Sequence, residues 1–272
     1  MILGPTASGK SLLAMEIAAR LPAEIVSVDA LKVYKHLDIG TAKPSPEERA
    51  KVRHHGLDLI EPSESFSVAQ FLDYATPLLA EIHARGCLPI LDVTAPLYLK
   101  ALLYGIQPGP EPDPELRTRL ENTPRDELYG ELKQRDPVRA GELHPNDVRR
   151  IVRALEHVML KGKPMSELTP WGEMRDDCQW VMTGISWPRE LLYARVIARV
   201  EKMMALGWLE EVQQVQARWG FSKTAAEAHG YKRLLSHLRG EITLQEAIEI
   251  TKRDVKTYAR KSMTFFKQFS KT

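Results

Sequence analysis

Three features of the 272-residue sequence predict an α/β fold, a central parallel sheet flanked by helices, with a helical insertion domain. Apolar runs that end in polar residues, Glu24 to Asp29, Leu57 to Glu61 and Leu88 to Asp92, recur through the first hundred positions with helical stretches between them. The tract PGPEPDPEL, residues 108–116, puts four prolines in seven residues and ends that alternation. The segment CQWVMTGISW, 178–187, then restores a strand-like run. These breaks divide the chain into a first part of the core at 1–107, a mainly helical insertion at 108–177 hinged at Pro108, and a second part of the core at 178–272.

The elements follow in order. Met1 to Leu3 reads as the end of a first strand; strands usually run about five or six residues, so its start is expected upstream. Residues 4–11, GPTASGKS, fit G-x-x-x-x-G-K-[ST], in which glycines let successive backbone N–H groups converge on phosphate oxygens and a lysine adds a point charge. Leu12 to Leu21 reads as a helix with Leu13, Ile17 and Leu21 on one face, aiming its positive end at the anion. The core is therefore expected to be P-loop NTPase-like. Val68 to Arg85 carries helical periodicity, and Arg189 to Lys267 reads as helices that complete the core.

A hydrophobic content of 43% and a charged content of 27% are ordinary for a soluble folded protein and exclude a disordered chain. Two cysteines, Cys87 and Cys178, exclude a disulfide framework. With no charged-then-apolar leader and no 18-residue apolar run, a cytoplasmic protein without membrane spans is expected. The formal charge of +2 is unevenly spread, because residues 250–272 hold seven Lys/Arg against the single acid Asp254.

Open parallel sheets bind ligands at the carboxyl ends of their strands, where Gly4, Asp29 and Asp92 fall. Asp29 could accept a proton or bind Mg2+ through water, or simply cap a turn. Asp92, ending LPILD, has the place of a metal-side aspartate, or again of a turn residue. DIGTAKP (38–44), with Gly40 and Lys43, and HHGLD (54–58) read as solvated loops; no third ligand stands at zinc spacing from the two histidines. HPNDVRRIVR (144–153) opens a helix capped by Asn146 or Asp147 and puts Arg149 and Arg153 on one face, either salt-bridged or in contact with phosphodiesters. In the tail Lys252, Lys256 and Arg260 repeat every four residues with Arg253 and Lys261 alongside, while Tyr258, Phe265 and Phe266 are expected to pack inward. Together the two basic helices favour an acidic polymer as partner.

The set GPTASGKS, SVDALKVYKHLDIGTAKP, HHGLDLIEP, LYLKALLYG, LHPNDVRRIVRALE and HGYKRLL resembles the tRNA dimethylallyltransferases in motif order over nearly the whole chain. The resemblance implies transfer of a dimethylallyl group from its diphosphate to N6 of an adenosine beside the anticodon, with Mg2+. It implies a diphosphate site at Gly4, Pro5, Thr6, Ala7, Ser8, Gly9, Lys10 and Ser11, joined by Lys256 and Arg260, with Ser11 reaching the metal. Asp29 is the implied proton acceptor and Thr94 a second catalytic residue. Asp29, Ala30, Leu31, Lys32, Lys43, Arg149, Arg150, Ile151, Val152 and Arg153 are the implied tRNA contacts, in a protein expected to act as a monomer.

Three motifs depart from the family pattern. Its DS is Asp29–Ala30 here; its GGTGLY is VTAPLY (93–98), which puts Ala95 in the threonine's place and Thr94 one position early; its TRxYAKRQ is VKTYARKS (255–262), replacing a bidentate arginine with Lys256. Two rival readings stay open. A small-molecule or nucleoside kinase fits the bare P-loop, with Asp92 on Mg2+, and a catalytically impaired tRNA-binding relative fits Ala30 and Ala95.

Overall fold

The computed structural model describes residues 1–107, 109–111, 113–168 and 171–269. Five parallel strands, β1 (Ile2–Leu3), β2 (Ala23–Val28), β3 (His54–His55), β4 (Leu88–Val93) and β5 (Thr183–Gly184), form one sheet in the order β3-β2-β4-β1-β5. In chain order the helices are α1 (Lys10–Ala18), α2 (Pro46–Lys51), α3 (Val68–Ala84), α4 (Pro96–Tyr104), α5 (Pro114–Asn122), α6 (Arg125–Arg135), α7 (Pro137–Glu142), α8 (Val148–Lys161), α9 (Arg189–Ala205), α10 (Trp208–Arg218), α11 (Lys223–Ala226), α12 (Tyr231–Leu238) and α13 (Leu244–Phe266). The backbone divides into two units, one made of residues 1–103 and the chain from Asp176 onward, the other of Tyr104–Arg175. Pro108, where the sequence places a hinge, lies outside the described residues.

In the first unit β2 and β4 pair along their full length, from Ala23 with Leu88 to Val28 with Val93, and Ile25, Val26, Val28, Ile90, Leu91 and Val93 are buried. Strands covered on both faces need such continuous apolar runs. α3 opens with a reciprocal cap, Ser67 with Gln70, and buries Phe71, Ala75, Leu78 and Ile82 on one face. α1 starts at Lys10, earlier than its apolar residues suggest, because Gly9 in the left-handed region (φ 101°) is its N-cap.

The third strand is not Leu57 to Glu61 but the histidine pair before it, His54–His55 on β2. Gly56 (φ +74°) packs so tightly on Ser27 that a Cβ there would lie 2.7 Å from the Ser27 carbonyl, and Asp58 (φ 54°) turns the chain again. Residues 58–60 then bond to Lys32 and Val33 outside the sheet. The edge is fastened by Glu24, whose carboxylate takes both Arg85 (2.8 Å) and His55 (2.5 Å).

A second cluster joins the segment after β2 to α9, α10, α12 and α13 around Tyr34, Trp208 and Tyr231, all buried. Gly40 and Gly230 both face the Trp208 indole, and a Cβ built on either would overlap the ring. The Glu211 carboxylate accepts the N–H groups of Asp38 (2.7 Å), Ile39 (2.6 Å) and Gly40 (3.2 Å) and the Tyr231 hydroxyl (2.7 Å), which holds the 38–43 loop in place.

The second unit is built from α5 to α8 around Leu120, Leu128, Leu132, Ile151, Val152 and Leu155. α8 is capped by Asp147, which accepts from Arg150 N, and ends at Gly162 in the left-handed region (φ 69°).

Candidate active site

β1 delivers the chain into the loop 4–11. Gly4 (φ +154°) sits so close to its neighbours that a Cβ would fall 2.9 Å from both the Ile185 carbonyl and Ser8 Oγ. Ala7 holds a left-handed φ of 62°, unusual for a residue with a Cβ. Three carbonyls of the loop are tied back: Pro5 O accepts from Lys10 Nζ (2.9 Å), Ala7 O from Arg195 Nε (2.7 Å) and Ser8 O from Trp187 Nε1 (2.8 Å). The Arg195 guanidinium lies over the Trp187 ring at 4.5 Å, so the two braces support each other. With its carbonyls turned to these donors, the loop presents N–H groups and the start of α1 to an anion.

The cavity so formed measures about 360 Å3 and is lined by Thr6, Ala7, Ser8, Gly9, Lys10, Ser11, Asp29, Lys32, Thr41, Thr94, Arg195 and Arg199 among others. Four cations, Lys10, Lys32, Arg195 and Arg199, thus face one lining carboxylate, Asp29, with Asp92 buried behind. That excess of positive charge suits a di- or polyphosphate. Burial pulls the Lys10 ammonium down to about 8, with Asp92 opposing the shift. Burial also lowers Arg199, against the pull of Asp29 and Asp92. Burial raises the Asp92 carboxyl, but Lys32 and Lys10 outweigh it and hold the group below its ordinary range.

Asp29 follows β2 directly. Its Oδ1 accepts from Leu31 N (2.7 Å) and Lys32 N (3.2 Å), which fixes the carboxylate at the cavity wall while Oδ2 has no hydrogen-bond partner among the described residues. Ser11 Oγ donates to Asp92 Oδ2 (2.7 Å), which also receives Lys32 Nζ at 3.4 Å. Asp92 Oδ1 is buried with no hydrogen-bond partner among the described residues. A hydroxyl beside an ionised carboxylate with a spare oxygen fits a hard cation that takes oxygen ligands, so Ser11 and Asp92 fit Mg2+.

The structure brings the loop residues Thr6 to Ser11 together with Asp29 and Thr94 on one cavity; Ala95 is buried and is not part of its wall. Other expected residues lie elsewhere. Lys32 lines the same cavity and is buried. The Lys43 side chain is buried too, its ammonium held by Tyr34 O (2.6 Å), Asp38 (2.7 Å) and Asp58 (2.6 Å), which uses all three donors. Leu31 packs against the Trp208 cluster, and Ala30 is half-buried. Lys256 and Arg260 lie on α13 and are not part of the cavity wall. Lys252 of the same stripe is paired with Glu201 and Glu249, both at 2.9 Å. On α8, Arg149, Arg150 and Arg153 are exposed, whereas Ile151 and Val152 are core residues whose side chains face the interior of the second unit.

Arg195 and Arg199 are the site residues that motif reading missed. Their signal is a pair of arginines four apart on a helix whose Leu192, Val196, Val200 and Met203 are buried, which marks cations held at the edge of a core.

Fold and site together define a P-loop protein with a cation-rich cavity beside a carboxylate. The family model described as IPP transferase matches residues 32–269, and that described as isopentenyl transferase matches residues 1–61. The chain is 42% identical over 265 residues to tRNA dimethylallyltransferase 1 of Citrifermentans bemidjiense, covering 97% of this chain and 87% of the relative. Among solved structures, the full-length tRNA isopentenylpyrophosphate transferase from Bacillus halodurans is 38% identical with a TM-score of 0.70, covering 98% of this chain and 85% of that one. A eukaryotic dimethylallyltransferase acting on tRNA is 27% identical with a TM-score of 0.78, covering 97% and 68%. The chain belongs to the IPP transferase family, and it is a transferase.

Proposed function

We propose that this chain transfers a dimethylallyl group from dimethylallyl diphosphate to N6 of the adenosine 3′-adjacent to the anticodon in tRNA, releasing diphosphate. The observation that supports it is the meeting, in one cavity, of four cations suited to a departing diphosphate with the strand-end carboxylate of Asp29. N6 attacks the allylic C1, the C1–O bond breaks with its electron pair leaving on the diphosphate, and the N6 proton passes to Asp29. The carbon is cation-like as the bond breaks, so neutralising the leaving group lowers the barrier.

In this reading the loop N–H groups and Lys10 bind the diphosphate, Lys32, Arg195 and Arg199 offset its charge, and Thr94 supplies a hydroxyl at the same wall. Mg2+ would be held by Ser11 and Asp92, and when bound it supplies further charge neutralisation. The acceptor adenosine leaves its stack to reach the cavity. The exposed Arg149, Arg150 and Arg153 of α8 contact tRNA phosphates. No described helix is long and apolar enough to cross a membrane. In this reading the chain works on tRNA in the cytoplasm, as a monomer.

The test is incubation with labelled dimethylallyl diphosphate plus bulk tRNA and, separately, with γ-labelled ATP. Label in tRNA, located at the anticodon-adjacent adenosine by nucleoside mass analysis, supports the reading. Label only in a phosphorylated small molecule makes the chain a kinase, and salt-dependent tRNA binding without product makes it a catalytically impaired relative.

A further inference from the structure

The turn that carries Thr94 is fastened from two sides. Its backbone N–H donates to Val28 O (3.0 Å), the last residue of β2, as does that of Ala95 (3.0 Å). Its carbonyl accepts the hydroxyl of Tyr258 at 2.8 Å, across 164 positions of sequence. Tyr258 projects from α13 beside the buried Ala259 and is packed at 5.1 Å against the ring of His229, so the phenol has little freedom to move. That places one residue of VKTYARKS and one of HGYK behind the same turn.

We propose that Tyr258 is a positioning residue of the transfer site: its phenol holds the Thr94 carbonyl and so keeps the turn after β4 in the arrangement that leaves the Thr94 side chain on the diphosphate cavity. The inference rests on the prenyl-transfer reading above. Thr94 stands one place early relative to the pattern GGTGLY, and the residue in the usual place is a buried alanine, so the aim of this single side chain depends on how the turn is tied. Val28 fixes one edge of the peptide and precedes Asp29, so a turn bonded to Val28 and to Tyr258 sets the threonine relative to the carboxylate. Burial, and then the charge of Asp29, pushes the Tyr258 hydroxyl up to about 12, so it stays protonated and a donor at every pH where the reaction would be run.

The experiment is a double-mutant cycle on single-turnover transfer from dimethylallyl diphosphate to an anticodon stem-loop, with Tyr258→Phe, Thr94→Ala and both together. Tyr258→Phe keeps the ring and its packing and removes only the donor. It should slow transfer about tenfold, with donor KM within about twofold and the melting curve in place. In the Thr94→Ala background the same change should have no further effect, because the group it positions is gone. Multiplicative effects of the two substitutions, or a Tyr258→Phe loss that follows a fall in melting temperature, would overturn the proposal. Thr94→Ser guards against a folding artefact: it keeps the hydroxyl and should remain sensitive to Tyr258→Phe, and insensitivity would also overturn the proposal. If the parent protein transfers no label to tRNA, the prenyl-transfer reading itself fails; if the parent transfers while Thr94→Ala is harmless, only the role of Tyr258 fails.

Discussion

Replacing Asp29 with asparagine separates the carboxylate's chemistry from its architecture. The amide oxygen can still accept from Leu31 N and Lys32 N, now at 2.7 and 3.2 Å, so the turn after β2 should keep its shape. What disappears is a group able to take the N6 proton. Loss of a positioned general base costs about 10²- to 10⁴-fold in rate, or about 3–6 kcal/mol of barrier at about 1.4 kcal/mol per decade. The substitution also removes the one negative charge lining a cavity that holds four cations, so diphosphate affinity should rise. With the charges partly screened by solvent the gain is of order 1 kcal/mol or less, about two- to fivefold. The assay is single-turnover transfer with enzyme in excess, read as modified nucleoside by mass spectrometry, beside calorimetric titration with inorganic pyrophosphate. Turnover within about fivefold of the parent would refute a base role. A rate loss accompanied by weaker pyrophosphate binding would show that Asp29 serves the anion or its metal instead.

Three further outcomes follow from the same structure. Lys10 sits near 8 in the free protein, so above that pH it is neutral and an incoming diphosphate must bring a proton with it; metal-free pyrophosphate affinity should fall as pH rises past about 8, with proton uptake seen by calorimetry in two buffers and abolished in Lys10→Met. Glu24, held by Arg85 and then by His55 at about 2 against an ordinary 4.5, lends stability that is complete above 4.5 and lost as pH falls from there towards 2. Glu24→Gln should therefore cost about 2 kcal/mol in urea melts at pH 7 and close to nothing near pH 2, and equal cost at both would break the linkage. Charge reversal of Arg149 and Arg153 together should weaken tRNA binding and flatten the slope of log affinity against log salt by about 1.5–2, leaving pyrophosphate titrations unchanged.

Much of this molecule could be read from local pattern. β2, β4 and α3 announce themselves because continuous apolar runs and a helical stripe are demanded by burial on two faces and on one. The phosphate loop is legible because its glycines answer to backbone geometry rather than to partners far away. The third strand escaped because two histidines carry no apolar period and are recruited by pairing with β2, while Leu57 to Glu61, apolar by composition, is turned out by the left-handed Gly56 and Asp58. Lys43 looked like a solvated lysine because its acceptors come from Tyr34, Asp38 and Asp58, whose convergence is tertiary. Ile151 and Val152 shared a motif with exposed arginines, and only the 3.6-residue period of α8 sorts the two faces. Arg195 and Arg199 sit outside any phosphate motif and are placed on the cavity only by the packing of α9 against the loop.

The Trp208 indole occupies the room that side chains at residues 40 and 230 would need. Three stretches far apart in the chain are therefore one mechanical part, and a methyl group added at either glycine displaces the same ring. Trimming that ring would open a hole beneath the loop that holds Thr41 without releasing either glycine, because a Cβ at residue 40 would still lie 2.5 Å from the Tyr231 hydroxyl and residue 230 would keep its left-handed φ of +83°.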